Sequence, residues 1–174
     1  MANTWTKIAS TTVGSGGAAN VTFSSIPQTY NDLCIIGSAR MTSAYNNVEY
    51  YMIINGDSST VYSGTLLQAF GTTANSPRTS NTTYANNFNA PAASVTTGMF
   101  GNMTMYLPNY TNTSAFKTYV QDSVSEIFTN TNNNLMLSAG LYRSTAAVSN
   151  LIMLPTGNWA QHTSFTLYGI KNTP

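Results

Sequence analysis

The strongest constraint on this chain is a two-residue period that recurs in short runs. Val48, Tyr50, Met52 and Ile54 are spaced two apart, and Asn55-Gly56 follows at once. Successive side chains of a strand point to opposite faces, so such spacing collects apolar groups on one side of a sheet. Asn-Gly suits the two positive-φ positions of a type I′ turn, and here it predicts a tight hairpin. The same alternation recurs elsewhere. Val21 and Phe23 share a face, as do Leu33 and Ile35. The run from Met99 to Leu107 puts Met99, Met103, Met105 and Leu107 on one side. Phe116, Thr118 and Val120 alternate with Lys117, Tyr119 and Gln121, and Leu135, Leu137, Ala139 and Leu141 alternate cleanly. Asn150 to Leu154 and Phe165 to Ile170 are largely apolar on both faces.

Between these runs lie clusters of Gly, Asn, Ser and Pro, which punctuate strands. Gly14-Ser-Gly-Gly17 reads as a flexible hairpin connection, and Thr129 to Asn134 as a hairpin tip. The best helix candidate, Ser123 to Phe128, is short. The pattern predicts an all-β fold of about nine or ten strands, an antiparallel β-sandwich or a barrel, because both closures deal with unpaired sheet edges. One domain spans residues 1–174, since neither an internal repeat nor a linker divides it. From Gly71 to Gly98 the chain reads GTTANSPRTSNTTYANNFNAPAASVTTG, which carries two prolines and little alternation. It is expected to form a long ordered loop, held by the domain's own surface or by a neighbouring chain.

Composition narrows the function. Thr, Asn and Ser account for 67 of the 174 residues, while only 11 are Asp, Glu, Lys or Arg. An ordinary domain carries about 25% charged residues. The six basic residues are scattered, so they form no phosphate track, and nucleic acid is not an expected partner. No apolar run approaches 18 residues, which argues against a membrane-spanning helix. The first residues lack a basic segment followed by an apolar core, so no secretory signal is expected and assembly is placed in a cytosol. A surface of Thr, Ser and Asn is cheaper to dehydrate than one of Lys and Glu, and charge repulsion opposes its association little. Eight methionines add adaptable packing. This composition suits burial between subunits.

The chemical motifs are weak. His162 is the single histidine, which excludes sites built on several, and a surface or loop-packing role is expected. Cys34 is the single cysteine and lies in the apolar run Leu33-Cys34-Ile35-Ile36, as a buried small hydrophobe would. Asp122 and Glu126 would lie roughly 13 Å apart along one strand. Carboxylate-pair glycoside hydrolysis requires about 5–9.5 Å. Ser114-Ala-Phe-Lys117 fits S-x-x-K, but it enters a strand pattern, and no K-T-G follows. Gly14–Gly17 lacks the G-K-[ST] of a phosphate loop. Asp57 in its turn offers one oxygen ligand where calcium needs six to eight. Eleven Tyr and two Trp suit a sugar-binding surface, although such residues more often fill cores and subunit interfaces. No catalytic, cofactor-binding or metal-binding residue is therefore assigned, and no cofactor is expected.

Three segments carry a resemblance. They are TKIASTTVGSGGAANVTFSSIPQTYNDLCIIGSAR (Thr6 to Arg40), the stretch from Gly101 to Glu126 that contains MYLPNYTNTSAFKTYVQDSVSE, and Ala139 to Lys171 with AGLYRSTAAVSNLIML and SFTLYGIK. In order and wording they resemble a family of small β-sandwich domains in tailed-bacteriophage virion proteins. The resemblance implies a jelly-roll-like sandwich and a non-enzymatic structural role in the virion. Family members occur as parts of tail fibres or as separate virion proteins. Here the pattern begins by Trp5 and ends at Lys171, which favours a capsid decoration or cement protein. The implied partners are the major capsid protein or other virion proteins, with a homo-oligomer, preferably a trimer, as corollary. The alternative is a tail-fibre or tail-tip head that binds host surface glycan.

Overall fold

The computed structural model describes residues 4–127 and 133–171. Among them are thirteen strands and no helix. The strands are β1 (Trp5–Thr12), β2 (Val21–Phe23), β3 (Asp32–Ala39), β4 (Asn47–Ile54), β5 (Tyr62–Phe70), β6 (Thr73–Asn75), β7 (Arg78–Thr82), β8 (Ala85–Pro91), β9 (Gly101–Leu107), β10 (Lys117–Ser125), β11 (Asn134–Tyr142), β12 (Leu151–Pro155) and β13 (Ser164–Ile170). They form two antiparallel sheets. The larger has nine strands in the order β1-β13-β3-β9-β10-β11-β5-β6, with β7 also paired to β5, and the smaller has the order β2-β12-β4-β8.

Eight of these strands make a complete jelly roll. The quartet β1-β13-β3-β9 belongs to one sheet and β2-β12-β4-β8 to the other. This is the strand order of two interleaved Greek keys. The remaining five strands are insertions that widen only the large sheet: β5, β6 and β7 between β4 and β8, and β10 with β11 between β9 and β12.

One core lies between the quartets. Leu33, Ile35, Met105, Phe165 and Leu167 of the large sheet meet Val21, Phe23, Tyr50, Met52, Ile54, Leu151 and Met153 of the small one. Aromatic rings join the two layers. Trp159 stands edge-on to Tyr50 at 5.0 Å and to Phe165 at 5.1 Å, and Tyr50 stacks on Phe88 at 5.0 Å. The indole N–H of Trp159 donates to the Met153 carbonyl at 3.1 Å, so its one polar atom is satisfied inside the core.

Several sequence expectations are corrected. The strands number thirteen rather than nine or ten. Asn55-Gly56 does form the expected turn, with φ of 55° and 68° and a bond from the Asp57 N–H to the Ile54 carbonyl. It is not a hairpin, however, because β4 and β5 lie in different sheets. Gly14–Gly17 likewise links strands of different sheets. The helix candidate fails because Ser123–Ser125 complete β10, while Phe128 lies outside the described residues. Most of the Thr129–Asn134 tip also lies outside them, although β10 and β11 pair along their full lengths.

The supposed loop at 71–98 contains β6, β7 and β8. Strands β6 and β7 are exposed edge strands, and β8 is buried along its described positions. Neither situation produces alternation of apolar with polar residues, so the period-two signal is absent. The rest of the segment is held by Arg40. Its buried guanidinium donates to the carbonyls of Val95, Thr96 and Met99 at 3.0, 3.1 and 2.9 Å.

In the β10–β11 pair the Tyr119 ring lies over Gly140, its register partner. A Cβ on Gly140 would sit 2.0 Å from that ring, whereas nothing lies within 4 Å of a Cβ on Gly16. Gly140→Ala is expected to lower unfolding stability by about 1–3 kcal/mol, the usual cost of overpacking. Gly16→Ala should stay within about 0.5 kcal/mol of the parent. Urea denaturation of the two variants checks the difference.

Candidate functional site

The insertions create two unusual surfaces. The first is the outer face of β5, β11 and β10. On β11 the buried positions are Asn134, Met136, Ser138, Gly140 and Tyr142, whereas Leu135, Leu137 and Ala139 face solvent. On β10 the buried side carries Lys117, Tyr119, Gln121, Ser123 and Ser125, and Val120 faces out. The inward side of these strands mixes Tyr62, Leu66, Tyr119, Met136 and Tyr142 with buried amides and hydroxyls, while leucines stand on the outward side.

Register makes the outward groups contiguous. Leu137 pairs with Leu67 on one side and Asp122 on the other, Leu135 pairs with Ala69 and Val124, and Ala139 pairs with Val120. Leu67, Leu135 and Leu137 are 58%, 53% and 50% exposed. Ile36 of β3 is also exposed, separated from Leu137 in the same row by Thr104 and Asp122. A shallow hollow of about 420 Å³ lies among Leu67, Ala69, Ala74, Leu135, Leu137 and Asp122.

Asp122 is the one carboxylate in that hollow. Its pKa is raised, chiefly by loss of water against the apolar neighbours. Cys34 lies in the outward register of β3 but is buried, opposite Tyr106 and Tyr168. Burial, with a smaller contribution from Asp122, pushes its thiol up to about 11, so it stays protonated and unreactive at neutral pH.

The second surface is a cleft of about 490 Å³. It is bounded by Gln68, Phe70, Asn134 and Met136 of the inserted strands and by Asn47, Val48, Glu49 and Tyr51 of β4. Tyr45, Asn89 and Thr156 complete its lining. Burial raises the phenol of Tyr51, whose ring packs against Tyr84 at 4.1 Å between centroids. Desolvation also raises the Glu49 carboxyl, although the residue as a whole is exposed and water screens most of the effect. The side-chain oxygens of Asn89 and Asn134 are buried without a hydrogen-bond partner among the described residues.

The residues weighed from sequence fall elsewhere. His162 is exposed on a turn with φ of 72°. Ser114 lies in a loop, and the Lys117 ammonium donates to the Ala115 and Thr145 carbonyls, so S-x-x-K forms no nucleophile pair. Asp122 and Glu126 belong to one extended segment and line different hollows. Asp57 accepts from Ser59 and from the Tyr142 hydroxyl, which hold its carboxyl below the usual range. No group of three or more His, Cys, Asp or Glu comes together among the described residues.

Of the aromatic residues, Tyr50, Tyr62, Tyr110, Tyr142 and Trp159 are core. Tyr45, Tyr51 and Phe70 form the ring-bearing part of the cleft. Sequence reasoning did not single out the outward leucines or the cleft side chains. No signal in the sequence marked them, since Ser138 and Asn134 alternate with leucines as solvent-facing residues would, and the structure buries them. No family model, curated protein or solved structure matches this chain.

A raised carboxyl pKa means the folded state favours the neutral acid. The stability contributed by Asp122 is therefore present at low pH and is lost as pH rises through its folded pKa. Asp122→Asn should remove that dependence and stabilise the protein at pH 7 by less than about 1 kcal/mol, because the group is only partly buried. Paired denaturation of parent and variant at pH 7 and pH 4 isolates this group. Asp57, with the opposite sign, cancels in the comparison.

Proposed function

We propose that this chain is a non-enzymatic structural protein of a tailed-bacteriophage virion that decorates the capsid and bridges neighbouring shell subunits. The observation that carries this reading is the exposed cluster of Leu67, Leu135 and Leu137 on the outer face of β5 and β11. Contiguous apolar surface of this kind marks a site of association, and several buried hydroxyls and amides, such as Ser123, Ser125, Asn134 and Ser138, share the inner side with the aromatic residues. The scarcity of charge agrees, since little ionic hydration opposes burial of the face. So does the resemblance of the three sequence segments to small virion sandwich domains.

The mechanism is passive. A subunit that binds the assembled lattice, and not its dissociated parts, shifts the equilibrium toward the shell by mass action. A trimer would place three such faces on one particle, and the second and third contacts would form at the high effective concentration set by the first. A second reading places the protein at a tail fibre or tail tip as a glycan-binding head. The aromatic and amide lining of the cleft favours it. Hydrolysis is the weakest reading, because the cleft lining includes one carboxylate, Glu49, where the reaction requires a pair.

Electron microscopy of intact particles decides among these. Repeated density over the shell, with the β10–β11–β5 face against the capsid, is the expected result. Density confined to the tail favours the second reading, and absence of the protein from purified virions overturns both. Replacing Leu135 and Leu137 together with Lys should leave the fold intact, because both side chains are about half exposed. The same change should cut capsid occupancy by about tenfold or more, as for two central residues of an interface.

A further inference from the structure

The docking face leaves the cleft unused, and the two surfaces differ in chemistry. Two rings stand at the cleft's mouth: Tyr45 is 64% exposed and Phe70 43%. Its wall holds Asn89 and Asn134, which are only 6% and 4% exposed, each with an amide oxygen that has no partner among the described residues. An unsatisfied buried polar atom costs about 1–3 kcal/mol, and structures rarely keep two in one wall unless a ligand or water completes them. The end torsion of Asn is broad and roughly two-fold. Both oxygens are shielded from solvent, so a ligand would reach them by rotation about this torsion.

A volume of about 490 Å³ falls within the usual range for small-ligand sites. The ligand must offer an apolar face to the rings and several hydroxyl groups to the amides. It must also tolerate Glu49, the one ionisable carboxylate of the lining, without bringing negative charge of its own. A neutral saccharide meets all three conditions: its C–H face stacks on aromatic rings, and its hydroxyls both donate and accept. An anionic sugar meets the first two and is repelled by Glu49.

We propose that this cleft is a binding site for neutral saccharide, with the sugar ring stacked on Phe70 and Tyr45 and its hydroxyls bonded to Asn89, Asn134 and Glu49. The inference rests on the cleft alone. It holds whether the protein sits on a shell or on a tail, so its failure leaves the capsid reading standing.

The test is saturation-transfer NMR on the full chain with lactose, maltose, cellobiose and chitobiose, with 3′-sialyllactose as the anionic comparator. At least one neutral disaccharide should receive saturation, with a dissociation constant of roughly millimolar order, as suits an open cleft. Tyr45→Ala and Phe70→Ala should each weaken it about fivefold or more. Tyr45 is exposed outside any strand, so its variant should melt with the parent and keep the result interpretable. The proposal is overturned if none of the four disaccharides binds at about 10 mM, if binding survives both substitutions, or if the sialylated sugar is preferred.

Discussion

The two sheets of this protein have unequal widths, and most of its features follow from that mismatch. Four strands on each side close a jelly roll around Trp159, Tyr50 and Phe165. Strands β10, β11 and β5 then extend the large sheet by about 14 Å, at roughly 4.8 Å per strand. No fifth strand of the small sheet faces them. Strand β8, at the edge of the small sheet, packs against all three, so one element both ends the small sheet and lines the overhang.

Beneath the extension the packing is mixed, with Tyr62, Leu66, Tyr119, Met136 and Tyr142 buried beside Gln121, Ser123, Ser125, Asn134 and Ser138. The Ser123 hydroxyl accepts from the Asn89 N–H at 3.2 Å, and the Ser125 hydroxyl bonds the Asn47 side chain. Where the overhang passes β4, the layers part and leave the cleft between Phe70 and Tyr51. The opposite side of the same strands carries the leucines. The exposed leucine surface and the cleft are thus the two sides of one extension, formed by alternate residues of β5 and β11.

The amount of this legible in advance varied with burial. Strands of the jelly roll with one side in the core showed their alternation directly, as Val48 to Ile54 does. Strand β8, with both faces covered, gave no periodic signal, and neither did β6 and β7, which have both faces in water. Strand β5 has its apolar residues on mixed faces, with Tyr62 and Leu66 inward and Leu67 outward, which blurs the pattern. The aromatic residues showed the same limit. Composition supplies eleven tyrosines, but only packing separates buried Tyr50 from exposed Tyr45.

The sequence by itself determined local geometry. Alternation made strands of Leu135 to Leu141, and Asn55-Gly56 made a turn with two positive φ values, because both depend on neighbouring residues alone. The pairing of those strands, and which of their faces would be covered, was decided only in three dimensions. A period of two says that leucine and serine point in opposite directions. It carries no information about which direction leads to water, because that depends on whether another sheet lies opposite, and here the narrower sheet ends at β8.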